Sequence, residues 1–253
     1  MSSQRQTTSS PGPSTPRNNG SIWYAAWCWL VFSVSCALAA PVIVLTPTRT
    51  ARTRIARLTS RFMGRMSGLT PQVRGLEHLP DGPSIIVANH NSYLDGVVLM
   101  AVLPPRFAFV IKREMATVPL VSVLLNRLGA LFVDRASATN ASRDTREILR
   151  IAGRGDSIVF FAEGSIHLEP GLQPFKLGAF LTAAHLDLPV VPVTIHGTRS
   201  VLDPKGWHPR WGTLTVEIDA PIQPEGKGRR SAAALRKAAH DVIAHRLESP
   251  LKR

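Results

Sequence analysis

An uncharged stretch of 24 residues, 22–45, constrains this chain more than any other feature. At about 1.5 Å per residue, a helix of that length reaches about 36 Å and exceeds the roughly 30 Å hydrocarbon layer of a bilayer. Aromatic side chains crowd its first half, as in an interfacial belt: Trp23, Tyr24, Trp27 and Trp29. The stretch predicts a membrane anchor over 21–46. A cleaved signal peptide and a buried core helix are the alternatives, and Ala37-Leu38-Ala39 fits a cleavage site.

The charges on either side of this stretch favour an uncleaved anchor. Six arginines follow it: Arg49, Arg52, Arg54, Arg57, Arg61 and Arg65. Only Arg5 and Arg17 precede it. Because the flank richer in Lys and Arg stays in the cytosol, we expect a membrane protein whose catalytic domain is on the cytoplasmic face. Residues 1–20 contain no apolar residue after Met1 and predict a disordered tail.

The segment 47–70 predicts a basic amphipathic helix, because its apolar residues recur at helical spacing and its arginines fall mostly elsewhere. The apolar residues are Ile55, Leu58, Phe62, Met66 and Leu69. Such a helix packs on its own domain or lies on an anionic lipid surface. In the second case the arginines between 49 and 65 face lipid head groups. The formal net charge of +13 admits three kinds of partner: nucleic acid, an anionic membrane or a polyanionic small molecule.

From residue 71 to 253 the pattern predicts an α/β domain with a mostly parallel sheet flanked by helices. The predicted strands are 84–88, 107–111, 130–133, 157–162, 190–195 and 213–218. The predicted helices are 94–103, 116–127, 139–153, 176–186 and 231–247. Two cysteines, Cys28 and Cys36, exclude a disulfide framework and a zinc ribbon.

His90 and Asp95 stand where a predicted strand ends and a helix begins, the usual place for ligand sites in α/β sheets. Five residues along a regular helix would leave their side chains roughly 140° apart, so they meet only if His90 precedes the helix. Asp95 would then fix the imidazole tautomer and leave the other nitrogen to accept a proton from a substrate hydroxyl. By themselves the two residues equally fit a helix cap and a hydrogen-bonded loop.

Four blocks together resemble the glycerophospholipid acyltransferases, the family of 1-acylglycerol-3-phosphate acyltransferases and their relatives. The blocks are Asn89-His90-x-Ser92-x-x-Asp95, Gly129-Ala130-Leu131-Phe132-Val133-Asp134-Arg135, Phe161-Ala162-Glu163-Gly164-Ser165-Ile166 followed by Pro174-Phe175-Lys176-x-Gly178, and Val191-Pro192-Val193-Thr194-Ile195. Their order and spacing across 84–196 are similar to the family's. The resemblance implies the glycerolipid acyltransferase fold and an O-acyltransferase acting on a lysophospholipid, with 1-acylglycerol-3-phosphate as the acceptor.

The resemblance also implies roles for single residues. His90 would deprotonate the acceptor hydroxyl and Asp95 would orient His90. The implied substrate-binding residues are Asn89, Ser92, Lys112, Arg135, Glu163, Gly164, Ser165 and Lys176. For the basic residues among them, a solvated surface charge is the alternative. No metal and no bound cofactor are expected, since acyl-CoA or acyl carrier protein would bring the acyl group as a thioester.

Three positions depart from the family's third block: Ala162 replaces proline, Ser165 replaces threonine and Ile166 replaces an arginine that meets the acceptor's phosphate. The last change leaves lyso-ornithine lipid or a substituted lysophospholipid as alternative acceptors. A catalytically inactive membrane scaffold is a more distant alternative. A serine hydrolase and a phosphate-loop enzyme are excluded by the absence of G-x-S-x-G, G-x-x-x-x-G-K-[ST] and G-x-G-x-x-G. Nucleic acid is not expected as a partner, because the arginines concentrate beside the apolar stretch.

Overall fold

The computed structural model describes residues 21–133, 147–148, 150–169 and 171–249. These residues form a seven-stranded sheet in the order β1-β7-β6-β2-β5-β3-β4. The strands are β1 (Gln72–Arg74), β2 (Ile85–Ala88), β3 (Phe107–Lys112), β4 (Leu131–Val133), β5 (Ser157–Phe161), β6 (Val190–His196) and β7 (Thr215–Ile218). The predicted tail over 1–20 and the predicted site residue Arg135 lie outside the described residues.

Helices cover both faces of the sheet. They are α1 (Ile22–Leu45), α2 (Arg49–Met66), α3 (Leu94–Val102), α4 (Pro119–Leu128), α5 (Gly178–Leu186), α6 (Thr198–Val201) and α7 (Gly228–Glu248), with 3-10 turns at Leu76–His78 and Arg113–Thr117. Successive residues of a strand point to opposite faces. Ile86 accordingly packs in a core cluster with α3, and Ile85 packs in a second cluster with α5 and α7. The predicted α/β fold with a mostly parallel sheet and flanking helices is confirmed.

The elements match the predicted ones apart from β1, the short helix α6 and the direction of β7. Each predicted strand is present within two residues of its bounds, but β1 was not predicted, because its three residues carry no apolar run. Strand β7 pairs antiparallel with β6 and parallel with β1. The predicted helix over 139–153 lies largely outside the described residues. The domain boundaries at 20, 46 and 70 stay predictions.

Helix α1 lies antiparallel beside α2. The Tyr24 hydroxyl donates to the Ser67 carbonyl at 2.9 Å, and the Trp27 indole N–H donates to the Met66 carbonyl at 2.9 Å. The start of α1 therefore meets the end of α2, while residues 46–48 join the other two ends. By length and composition α1 is apolar enough to cross a membrane, and most of its residues are exposed. It is therefore not buried as the core helix of a soluble protein would be.

Helix α2 does pack on its own domain, but not through its apolar stripe. Its buried residues are the small side chains Thr53, Ala56 and Ser60. The exposed fractions of Leu58, Phe62 and Met66 are 65%, 54% and 42%. The two alternatives drawn from the sequence are thus compatible, because one face contacts protein while Leu58, Phe62 and Met66 remain exposed.

Three of the six arginines that follow α1 do not face outward, which corrects the expectation that all of them meet lipid head groups. Arg49 pairs with Asp156. Arg52 donates to the carbonyls of Thr46, Pro47 and Arg127. Arg57 donates to the carbonyls of Ala101 and Val102 at the end of α3, and burial together with the nearby Arg61 charge lowers its pKa. The exposed ones are Arg54, Arg61 and Arg65.

Candidate active site

His90 and Asp95 meet at the turn between β2 and α3. His90 lies before the helix and Asp95 in its first turn, and His90 Nδ1 is 2.9 Å from Asp95 Oδ2. The same carboxylate oxygen accepts the backbone N–H groups of Asn91 at 2.7 Å and Ser92 at 2.9 Å. The chain thus folds back on itself before the helix begins, which is the geometry that the five-residue spacing requires.

This contact determines which imidazole nitrogen is available. A carboxylate can only accept, so Nδ1 carries the proton and Nε2 keeps its lone pair. Nε2 has no hydrogen-bond partner among the described residues, and 19% of the His90 side chain is exposed. Asp95 is completely buried. The pair can therefore remove a proton from a hydroxyl group that approaches from the surface.

The His90 ring stacks on Phe161, the last residue of β5. The ring centroids are 4.0 Å apart with an interplanar angle of 16°. Phe161 was not among the predicted site residues, although it begins the third block. Its position two residues before Glu163, at the end of the strand that pairs with β2, is the signal that could have identified it. The stack and the Asp95 contact together fix the orientation of the imidazole.

Glu163 supports the same turn from the end of β5. Its Oε1 accepts the backbone N–H of His90 at 2.6 Å, and its Oε2 accepts the backbone N–H of Gln173 at 3.0 Å. Its exposed fraction is 1%. Burial raises the pKa of this carboxyl, while the two backbone hydrogen bonds and the His90 and His167 charges act in the opposite direction. Both oxygens of Glu163 are therefore occupied by backbone groups.

We expect Glu163→Gln to lower the free energy of unfolding by about 1–3 kcal/mol, because an amide N–H₂ would face a buried backbone N–H that loses its acceptor. Thermal unfolding in detergent measures the effect as a decrease in Tm of several degrees. Glu169→Gln is the matched control, since Glu169 is exposed on the same connection. Equal Tm values for the two variants would contradict the role assigned to Glu163.

The polar atoms of Asn89 and Ser92 are also used inside the protein. The Asn89 side chain donates to the Ile195 carbonyl at 2.9 Å and accepts the Ile195 N–H at 2.8 Å, so it links the ends of β2 and β6. The Ser92 hydroxyl donates to the Leu202 carbonyl at 2.7 Å. Both side chains are completely buried. They hold the turn in place, and neither side chain is accessible to a substrate.

Four further predicted residues lie at the same edge of the sheet, and none of them hydrogen-bonds to His90 within the part of the chain that the structure describes. Lys112 ends β3 and pairs with Glu114 at 3.0 Å. Lys176 is exposed, and its backbone N–H donates to the Ala162 carbonyl at 2.7 Å. Gly164 has a φ of 89°, which favours glycine in this turn, and Ser165 is exposed. The carboxyl ends of neighbouring parallel strands thus bring all four to one surface.

The connection that contains Ile166 is held by Arg199, a residue that the sequence analysis did not select. Its guanidinium donates to three successive carbonyls, those of His167, Leu168 and Glu169. Ile166 is half-buried beside this contact. Arg199 is therefore engaged with the backbone.

Comparison with known proteins agrees with this site. The family model named Acyltransferase matches residues 70–196. The human 1-acyl-sn-glycerol-3-phosphate acyltransferase alpha is 28% identical over 200 residues, covering 78% of this chain and 70% of the human protein. The chloroplastic 1-acyl-sn-glycerol-3-phosphate acyltransferase BAT2 of Brassica napus is 32% identical over 132 residues, which are 51% of this chain and only 38% of that protein.

The crystal structure of the 1-acyl-sn-glycerophosphate acyltransferase PlsC from Thermotoga maritima has the same fold. The TM-score is 0.75 at 22% identity, with coverage of 92% of this chain and 98% of that chain. The family match includes the His90–Asp95 turn, Phe161 and Glu163. The predicted family resemblance is confirmed, as is the prediction of an acyltransferase. This chain belongs to the acyltransferase family.

Proposed function

We propose that this protein transfers a fatty acyl group from a thioester, acyl-CoA or acyl carrier protein, to the free hydroxyl of 1-acylglycerol-3-phosphate, giving phosphatidic acid. The observation that carries the proposal is the accessible Nε2 of His90, whose other nitrogen is held by the buried Asp95. The names of the human and Brassica relatives support this acceptor.

The reaction needs one base and no covalent enzyme intermediate. His90 Nε2 accepts the hydroxyl proton while the oxygen attacks the thioester carbonyl. The C–S bond then breaks, and the imidazolium returns the proton to the departing thiolate. Asp95 stabilises the imidazolium that forms in between. A base positioned in this way contributes about 10²–10⁴-fold to the rate.

The other site residues divide into two groups. Asn89, Ser92 and Glu163 position the turn through their buried hydrogen bonds. The others bind the acceptor's phosphate and glycerol oxygens, with Lys112, Arg135 and Lys176 as cations and Ser165 as a hydroxyl donor. Gly164 allows the backbone to approach the acceptor closely. The proposal includes no metal and no bound cofactor.

We place the protein on the cytoplasmic face of a membrane, with α1 in one leaflet. Helix α2 lies along α1, and its arginines make crossing the hydrocarbon layer unfavourable. A helix that is tied to α2 by side-chain hydrogen bonds lies parallel to the surface more readily than across it. The exposed stripe of Leu58, Phe62 and Met66 would enter the same leaflet, while Arg54, Arg61 and Arg65 meet anionic head groups.

The direct test is an acyl-transfer assay of the purified protein in detergent. A panel of lysophospholipid acceptors is supplied with one labelled acyl thioester, as acyl-CoA and as acyl carrier protein in parallel. Mass spectrometry identifies the product, and phosphatidic acid is expected. Inactivity with every acceptor and both donors would overturn the proposal and favour the inactive scaffold.

Ile166 favours a second candidate, an acyltransferase for a different lyso-lipid. It stands where the family carries an arginine for the acceptor's phosphate, and the nearby Arg199 donates to backbone carbonyls instead. An acceptor with a substituted phosphate or with none, such as lyso-ornithine lipid, would need less positive charge here. Preference for such an acceptor in the panel would replace the first candidate.

We expect Ile166→Arg to increase kcat/KM for 1-acylglycerol-3-phosphate by about tenfold, since one charge-assisted hydrogen bond contributes about 1.5 kcal/mol or more. The increase should appear mainly in KM and should be absent for lyso-ornithine lipid. Leu168→Arg is the control, because Leu168 is exposed on the same connection. An equal gain in both variants would indicate a general charge effect and contradict a specific role for position 166.

A further inference from the structure

The five tryptophans of this chain belong to two segments that are far apart in the sequence and in contact in the structure. Trp23, Trp27 and Trp29 belong to α1, and Trp207 and Trp211 belong to the 202–214 connection between α6 and β7. The Trp29 indole N–H donates to the Trp207 carbonyl at 2.8 Å, and the two ring systems are 5.8 Å apart. We call these five residues the tryptophan cluster.

Most of the tryptophan cluster is exposed. The exposed fractions are 82% for Trp23, 43% for Trp27, 72% for Trp207 and 62% for Trp211. Exposure of these four indoles would be unfavourable in water, since each carries a large apolar surface. Indole combines that surface with one N–H donor, a combination that suits the boundary between lipid head groups and acyl chains. The position of the cluster therefore indicates contact with a lipid surface.

The charges beside the cluster agree with an anionic lipid surface. The 202–214 connection exposes Lys205 and Arg210. Arg65 is exposed at the end of α2, next to the Met66 carbonyl that binds the Trp27 indole. Asp203 is the acidic residue of the connection, and its carboxylate accepts the Lys205 backbone N–H at 2.8 Å. The cationic side chains thus exceed the acidic ones along this surface.

The connection is held in one position. The backbone N–H of Arg210 donates to the Val201 carbonyl at 2.7 Å, and Pro209 is buried. The Trp211 ring packs over Gly68, where φ is 67° and an added Cβ would overlap the ring. Tyr24 contacts Trp211 with ring centroids 6.0 Å apart. The two exposed indoles of the connection are therefore fixed relative to α1 and α2.

The same connection begins at the active site. Leu202, its first residue, accepts the Ser92 hydroxyl in the His90–Asp95 turn. Trp207 and Trp211 are thus attached to the catalytic edge of the sheet through a short stretch of chain. Insertion of these indoles into a bilayer would hold that edge close to the lipid surface.

We propose that the 202–214 connection is a second membrane-contact segment, adjoining the start of α1 and the end of α2. Its partner is a phospholipid bilayer that contains anionic lipid. It keeps the His90 turn against the bilayer, so that an amphipathic acceptor reaches Nε2 without leaving the lipid. The part of the inference that concerns the acceptor rests on the proposed function; the part that concerns bilayer contact does not.

Tryptophan emission tests the bilayer contact directly. The full chain and its Trp207→Phe/Trp211→Phe variant are reconstituted into vesicles of phosphatidylcholine and phosphatidylglycerol with brominated acyl chains. The difference between the two emissions reports Trp207 and Trp211, together with any change in the emission of Trp29, which packs on Trp207. We expect this difference to be blue-shifted and quenched by the brominated lipid. Quenching by aqueous acrylamide instead would overturn the proposal, and so would protection from both quenchers, which would indicate an interface between copies of this chain.

A kinetic comparison tests the consequence for the active site. The kinetic constant kcat/KM is measured for an acceptor embedded in vesicles and for a water-soluble short-chain acceptor. For the Trp207→Ala/Trp211→Ala variant, we expect the ratio of the first value to the second to fall about tenfold. Leu181→Ala is the matched control, because Leu181 is exposed on α5 at the opposite face of the sheet. An unchanged ratio overturns the link to the active site. Inactivity of the parent protein with every acceptor would overturn the proposed function, while the emission result would still decide the bilayer contact.

Discussion

We expect His90→Ala to lower kcat for acyl transfer by about 10²–10⁴-fold, because the variant has no base for the acceptor hydroxyl. That loss corresponds to an increase of about 3–5 kcal/mol in the activation barrier. The KM values should change little, since the groups proposed to bind the acceptor's phosphate are other residues. Initial rates with one acyl thioester and one lysophospholipid measure the effect.

The variant should remain folded, which makes the result interpretable. The backbone N–H of His90 still donates to Glu163, and the N–H groups of Asn91 and Ser92 still donate to Asp95. None of these bonds involves the imidazole. A Tm close to that of the parent protein would verify this point. His185→Ala is the control, because His185 is exposed on α5 and should keep full activity. Activity of His90→Ala comparable to the control would exclude His90 as the base.

The arrangement of the site at one edge of the sheet could be predicted from the sequence. The runs 84–88 and 157–162 are short and apolar, and the polar blocks follow them directly. Parallel strands bring such blocks to the same edge, so the proximity of His90 and Glu163 follows from the pattern. The antiparallel direction of β7 could not be predicted from the sequence. Parallel strands were inferred from long helices between successive strands, and only the short α6 lies between β6 and β7.

The roles of the buried polar side chains could not be predicted from spacing. Asn89 bonds to Ile195 and Ser92 to Leu202, residues more than a hundred positions away, and the sequence contains no sign of such partners. Asn89 and Ser92 were therefore predicted to bind substrate, whereas their side chains hydrogen-bond to the protein backbone. The face of α2 that packs on the protein could not be predicted from its apolar stripe either. This helix packs closely through small residues such as Ala56 and Ser60.

We expect Asp95→Asn to lower kcat by about 10²–10⁴-fold, since the variant loses the negative charge that stabilises the imidazolium. Asp95 Oδ2 accepts three N–H groups, from His90, Asn91 and Ser92, and Oδ1 is buried without a partner among the described residues. An asparagine could keep its oxygen in the Oδ2 position only by burying its N–H₂ at the Oδ1 position. Some loss of stability is therefore expected as well, about 1–3 kcal/mol.

A double-mutant cycle separates the electrostatic role of Asp95 from a merely structural one. If Asp95 acts through His90, the His90→Ala/Asp95→Asn variant should lose hardly more activity than His90→Ala alone, because the two residues work as a unit. A structural defect would instead add a further loss in the double variant and raise the KM values. Asp241→Asn is the matched control, since Asp241 is exposed on α7 and contacts Lys237 at 2.7 Å and His240 at 4.0 Å, away from the site. Additive losses of activity in the double variant would contradict the proposed pairing. An Asp95→Asn variant as active as this control would contradict it too, because either result would mean that the imidazole works without the carboxylate beside it.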